Sequence, residues 1–325
     1  MTEHKKWAYM SCLRLPELSE MIDRCPIVYI PCGIYEWHRQ HIPMGTDTLK
    51  MEEICKRTVQ RTGGLIHMPS YIGVGTFDKA INFSPNLVKN YFCELFYQLE
   101  KIGIKLIVQF YGHTPVANVN PHEEAACNYM LDKNTKTKVL CLNDLEPVVK
   151  HRYKVADHAA KWETSFMMAS EPDHVSMRAI GVDQNSWCGL NPCIHASADE
   201  GNRMYDLIAG ETAKIVEMAL NAPKENIANY SFMRTSKCWE NCQNIDDLEN
   251  DFWKGDSLWE DPWCWCCIWR SPGIIKTIIR LKGVDWMKQT MKKWTKTTEE
   301  YTGRARVAIE QLQKELDEFV VGQKS

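Results

Sequence analysis

Two short apolar runs constrain this chain more than any other feature. Ile27-Val28-Tyr29-Ile30 is β-branched and aromatic and stops at Pro31, and Ile104-Lys-Leu-Ile-Val-Gln-Phe110 is its longer counterpart. Both are too short for an amphipathic helix and read as buried strands. Leu65 to Met68, closed by Pro69, and Lys138 to Leu142 are two further strands. Helical patterns separate them. Residues 48–61 form a helix that ends at Gly63-Gly64, and Pro85 to Lys101 repeats Leu87, Tyr91, Leu95 and Leu99 along one expected buried face. Met204, Leu207, Ile208 and Ile215 mark another helix near 200–220. Strand, loop, helix and strand in repetition predict a three-layer α/β/α sandwich around a mostly parallel sheet.

In such sheets ligands sit beyond the carboxyl ends of the strands. Directly after strand 27–30 comes GIYEWHRQHIPMGTD, which holds Glu36, His38, His41 and Asp47 in a turn-rich fifteen residues. Glu36 and His38 are two apart, so an extended segment points both the same way. Asp47 returns after a turn shaped by Pro43 and Gly45. Carboxylate and imidazole without thiolate suit a catalytic divalent site for zinc, manganese or iron, and a carboxylate can bridge two such ions. An exposed polar loop is the competing reading. His113 follows strand 104–110 and should land on the same sheet edge. Asp157-His158-Ala-Ala-Lys-Trp-Glu163 adds a third segment: a helix over 158–168 would set His158 and Glu163 in its first turns, with Asp157 as an alternative surface cap.

Net charge is −3, which makes no electrostatic case for nucleic acid or an anionic membrane, and no window approaches the 18 apolar residues of a membrane span. A cytoplasmic location is expected. Most of the fourteen cysteines stand alone inside apolar stretches, as reduced thiols do. After residue 222 the composition changes. Eight of the twelve tryptophans fall between Trp239 and Trp294, beside Cys238, Cys242, Cys264, Cys266 and Cys267. We therefore expect a catalytic domain over 1–222 and a Trp/Cys-rich extension over 223–325 that packs on the domain or a neighbouring subunit. It should end in a long amphipathic helix over 288–320.

The motifs taken together resemble the creatininase family of metal-dependent amidohydrolases. PCGIYEWHRQHIPMGTD follows the family's first motif, with its usual Gly-Pro replaced by Arg39-Gln40. IVQFYGH is similar to its strand and Gly-His, HAAKWETS to its His-Ala-x-x-x-Glu-Thr-Ser, and GLNPCIHASADEGNRM to a later pattern, so the resemblance spans Pro26 to Leu220. It implies that Glu36, Asp47 and His113 hold one metal and that His38 and Asp47 hold a second, with Asp47 bridging. Creatininase proper adds a glutamate two residues past the Gly-His histidine. Pro115 occupies that position here, which makes Glu163 the candidate replacement.

The resemblance implies one or two divalent ions per subunit (Zn, Mn or Fe), a small cyclic substrate, and a homo-oligomer, a hexamer by family precedent. A metal-activated water would attack the carbonyl of a cyclic amide or related C–N bond, with His158 or Glu163 moving the proton. His41 would orient a ligand, and Arg39 and Trp162 could touch substrate. Hydrolytic C–C opening of an inositol-derived cyclic diketone is the alternative reaction. A non-catalytic scaffold is the alternative of another class.

Overall fold

A computed structural model of the protein describes residues 7–75, 80–114, 116–144, 147–148, 157–180 and 190–224, with isolated positions between 284 and 317. In chain order the elements are β1 (Trp7–Tyr9), α1 (Leu15–Arg24), β2 (Ile27–Cys32), α2 (Thr46–Thr62), β3 (Gly64–Ile66) and α3 (Pro85–Lys101). They continue with β4 (Leu106–Tyr111), α4 (Val116–Leu131), β5 (Lys138–Leu142), α5 (Lys161–Ser170), α6 (Pro192–His195) and α7 (Ala198–Asn221). The expected extension over 223–325 and its terminal helix lie almost wholly outside the described residues.

The five strands form one sheet in the order β1-β3-β2-β4-β5, and each pairing is parallel. Every residue of β2 and β4 is buried, as strands covered on both faces must be. From β2 the chain moves one way to β3, and from β4 it moves the other way to β5. Right-handed crossovers then put the intervening helices on opposite faces. Accordingly, α2 packs with α5 and α7, whereas α3 packs with α4. The sandwich is the three-layer α/β/α architecture expected. Where two neighbouring strands send their connections in opposite directions, a crevice opens at their carboxyl ends. Here those strands are β2 and β4, the two that feed the histidine-bearing loops.

Two local readings change, and one helix went unread. The helix at Pro85–Lys101 exists, but it buries Val88, Phe92, Phe96 and Leu99, while Leu87 and Tyr91 face solvent. The apolar stripe is thus rotated by one position, and Phe92 and Phe96 are fully buried. The second change is that α5 starts at Lys161, so His158 lies before the helix and not in its first turn. Asp157 does cap it, accepting from Trp162 N at 2.6 Å and Glu163 N at 3.1 Å, but from a half-buried position. Finally, α4 carries Pro121 in its interior and has no clear apolar stripe, which hid it from a periodicity reading.

Candidate metal centre

The loop after β2 folds back on itself, with Glu36 N donating to Met44 O at 3.0 Å and Thr46 Oγ1 to Pro43 O at 2.6 Å. That closure starts α2 at Thr46 and sets Asp47 in its first turn, where the helix dipole favours a carboxylate. Across the crevice, Gly112 ends β4 against the same turn. A Cβ there would stand 2.1 Å from Asp47 O, so only glycine lets the two backbones approach. The Gly-His motif therefore brings His113 and Asp47 together through the backbone. Arg39, where the family motif has glycine, adopts φ 59°, and Ala159 adopts φ 49° beside His158. Both bear left-handed strain of about 1–3 kcal/mol each, a cost concentrated at functional sites.

Five of the side chains singled out from sequence converge. Glu36, His38, Asp47, His113 and Glu163 are all at least 96% buried by residue. His38 Nδ1 lies 3.1 Å from Glu36 O, a carbonyl that can only accept, so Nδ1 carries the proton and Nε2 faces inward. Around Nε2 stand Glu163 Oε2 at 3.4 Å, Asp47 Oδ1 at 3.5 Å and Glu36 Oε1 at 3.8 Å. His113 Nδ1 lies 3.1 Å from Glu36 Oε1 and 3.2 Å from Asp47 Oδ2. His158 sits at the rim. Its Nε2 is 3.1 Å from Trp37 O, which turns Nδ1 toward Glu36 Oε1 at 3.6 Å.

These atoms repel unless a cation or a proton lies between them. Glu36 Oε2, His38 Nε2, Asp47 Oδ2 and His113 Nε2 are buried without a hydrogen-bond partner. Burial opposes charge on both imidazoles, yet Glu163 and Asp47 hold the His38 pKa well above its usual range, and Glu36 and Asp47 push His113 up to about 10. On the carboxylate side, burial works against ionisation of Asp47, but His38 and His113 hold its pKa well below the usual range. A tetrahedral ion with bonds near 2.1 Å separates its ligand atoms by about 3.4 Å, within the spread found around His38 Nε2. Three triads bring one ligand atom per residue to within 4.8 Å of the others: Glu36/Asp47/His113, His38/Asp47/Glu163 and Glu36/His38/His158. The donor set fits a divalent metal.

A sequence profile described as "Creatinine amidohydrolase", that of the creatininase family, matches residues 11–216 of the 325. The chain belongs to the creatininase family. No curated protein matches it by sequence. Among solved structures, a mutant creatininase complexed with creatine is similar at 18% identity with a TM-score of 0.57, covering 66% of this chain and 98% of its own. A structure named "Creatininase Mn" has 18% identity and a TM-score of 0.55 over 66% and 98%. A mutant creatininase of Zn-Zn type has 18% identity and a TM-score of 0.54 over 65% and 97%. At these identities the likeness shows the shared fold.

Within this creatininase-family site, other motif residues join elements. His41 Nε2 and Thr164 Oγ1 are 2.8 Å apart, tying the first motif to α5. The last motif packs helices: Ser197 Oγ caps α7 through Glu200 N at 3.2 Å, and a Cβ on Gly201 would meet Ser165 O at 2.0 Å. Lys50 and Asp144 were not legible as site residues. Lys50 is 3% exposed, and its Nζ lies 2.9 Å from Asp144 Oδ2 and 3.2 Å from Glu163 Oε1. A lysine in a helix ordinarily reads as solvent-facing. The available signal was its place one turn after Asp47, beside the buried Met51.

Proposed function

We propose that the chain is a metal-dependent hydrolase that opens the C–N bond of a small cyclic amide. The observation that carries this reading is His38 Nε2, fully buried and faced by three carboxylate oxygens at 3.4–3.8 Å. Glu36, Asp47 and His113 would hold one ion, and His38, Asp47 and Glu163 a second. Asp47 would bridge, since Oδ2 faces His113 and Oδ1 faces His38. A bound divalent ion polarises a carbonyl and lowers the pKa of its water toward neutrality.

The chain's own groups supply the rest. Glu163 is held on both oxygens, Oε1 by Lys50 and Oε2 by Ala159 N at 2.7 Å, which suits a fixed ligand better than a moving proton carrier. His158 fits the shuttle. Its Nε2–H rests on the Trp37 carbonyl, so Nδ1 can take a proton from the attacking water and pass it to the leaving nitrogen. Burial lowers the His158 pKa, with His38 adding to that and Glu36 working against it. It therefore starts as the neutral base. A fold shared with a mutant creatininase complexed with creatine, an open-chain acid whose ring-closed form is a cyclic amide, supports a cyclic amide of similar size. Thr114-Pro115-Val116 after His113 provides no acidic ligand and favours, as a second reading, hydrolytic C–C opening of a cyclic diketone by the same centre.

Asp47→Ala is the direct test. Elemental analysis and a hydrolysis screen of cyclic amides and cyclic ketones should show metal and activity lost together while the far-ultraviolet spectrum stays near wild type. Full metal content in that variant defeats the ligand assignment. A scaffold would show neither metal nor turnover in the parent protein.

A further inference from the structure

Glu163 is the only acid from α5 in the His38/Asp47/Glu163 triad, and its carboxylate does not arrive there by packing alone. Lys50 projects from α2, one turn beyond Asp47, into a place where an ammonium is 3% exposed. Burying such a charge costs several kcal/mol unless carboxylates surround it. Two do. Asp144, just past β5 and itself 2% exposed, lies 2.9 Å from Nζ, and Glu163 Oε1 lies 3.2 Å away. Asp144 anchors the ammonium from the sheet side, and the ammonium grips one oxygen of Glu163. The other oxygen, which also accepts from Ala159 N at 2.7 Å, is then turned to within 3.4 Å of His38 Nε2.

The geometry points to Lys50 as the positioning residue of the second ion: clamped by Asp144, it presents Glu163 Oε2 to the site shared with His38 and Asp47. This inference rests on the metal-hydrolase reading above and adds a specific division of labour. By the family resemblance Pro115 takes the sequence position of a glutamate ligand, so the acid must come from elsewhere in this chain, and Glu163 reaches the site from α5. An internal cation behind the carboxylate fixes its rotamer without occupying the ligand position. The Glu36/Asp47/His113 triad makes no contact with Lys50 among the described ion pairs, so the two ion sites should respond differently to its loss.

The experiment is calorimetric titration of the metal-free full chain with Mn²⁺, for wild type, Lys50→Met, Glu163→Gln and the double variant. Removing a residue that orients a metal ligand typically weakens metal binding by about 10–100-fold. That loss is expected in Lys50→Met for the weaker of two ions, with the tighter ion retained. The double variant should bind Mn²⁺ no worse than Glu163→Gln alone, because Lys50 acts through Glu163. A lysine with only a structural role would lower the melting temperature and leave the two affinities in their original ratio. That result, or an additive double variant, overturns the inference. If Lys50→Met does not fold, Asp144→Asn reports the same clamp: weakening of the second ion alone supports it, and unchanged affinities overturn it. A wild-type chain that takes up no Mn²⁺ or Zn²⁺ removes the metal-hydrolase reading and this inference together. Two ions bound by wild type and Lys50→Met alike remove the inference only.

Discussion

Proton competition at the imidazoles makes the metal-free protein lose stability as pH rises through neutrality. In the folded chain the His113 pKa stands at about 10 against an ordinary 6.5, because Glu36 and Asp47 outweigh the burial that opposes its charge. A group raised in the folded state stabilises fully below its unfolded pKa and loses that contribution as pH climbs toward the folded one. From pH 6.5, where the unfolded imidazole is half protonated, to 8.5 the unfolded imidazole releases its proton while the folded one keeps it. The slope approaches about 1.4 kcal/mol per pH unit, so His113 alone removes about 2.3 kcal/mol over the window. His38, raised by Glu163 and Asp47 against its burial, adds in the same direction. His41 and His122 are pushed down to about 4 and about 3, chiefly by burial, and act below pH 6.5, while the buried thiols act near pH 9 and above. Asp157, pushed up to about 8 by burial and by Glu163, acts inside the window in the same direction as His113. The assay is urea unfolding of chelator-treated protein at half-unit pH steps, repeated with saturating Mn²⁺. With metal the decline should shrink to the part that Asp157 contributes, since the ion displaces the imidazole protons and its own affinity grows with pH. Metal-free stability that stays flat or rises from pH 6.5 to 8.5 refutes the arrangement of charges described for this site.

Three other outcomes can be checked directly. Gly112→Ala should destabilise by about 1–3 kcal/mol, an overpacking cost against Asp47 O, and should weaken metal binding as α2 moves off β4; thermal unfolding and metal titration read both. Phe92→Ala should cost about 3–5 kcal/mol in urea unfolding, whereas Leu87→Ala should shift the midpoint little, and equal effects would return the buried face of α3 to the Leu87 stripe. Glu163→Gln should lower metal stoichiometry in elemental analysis if Glu163 is a ligand, and leave it unchanged if it only carries protons.

The sequence revealed most where one residue type can serve only one purpose. β2 and β4 are near-continuous apolar runs, and their burial on both faces leaves little alternative. Glu36, His38, Asp47 and His113 were legible because two turn-rich, ionisable loops directly follow those two strands. Phase was harder. In α3 nearly every face carries a large apolar residue, so spacing established a helix without choosing between Leu87/Tyr91 and Val88/Phe92. α4 hid behind Pro121 and a weak stripe, and the start of α5 was displaced because Asp157 caps from beyond a left-handed Ala159. Lys50 and Asp144 were overlooked for a physical reason. A charge can be buried when a partner distant in sequence neutralises it, and no local pattern records that partner.

Gly112 also limits how this enzyme could be re-engineered. The carbonyl of Asp47 occupies the space any side chain at 112 would need, so the junction of β4 and α2 admits no new contact to a substrate. A change of specificity must come from positions that stand clear of that seam. Libraries aimed there can vary the reaction's customer while the seam keeps the ionisable core in register.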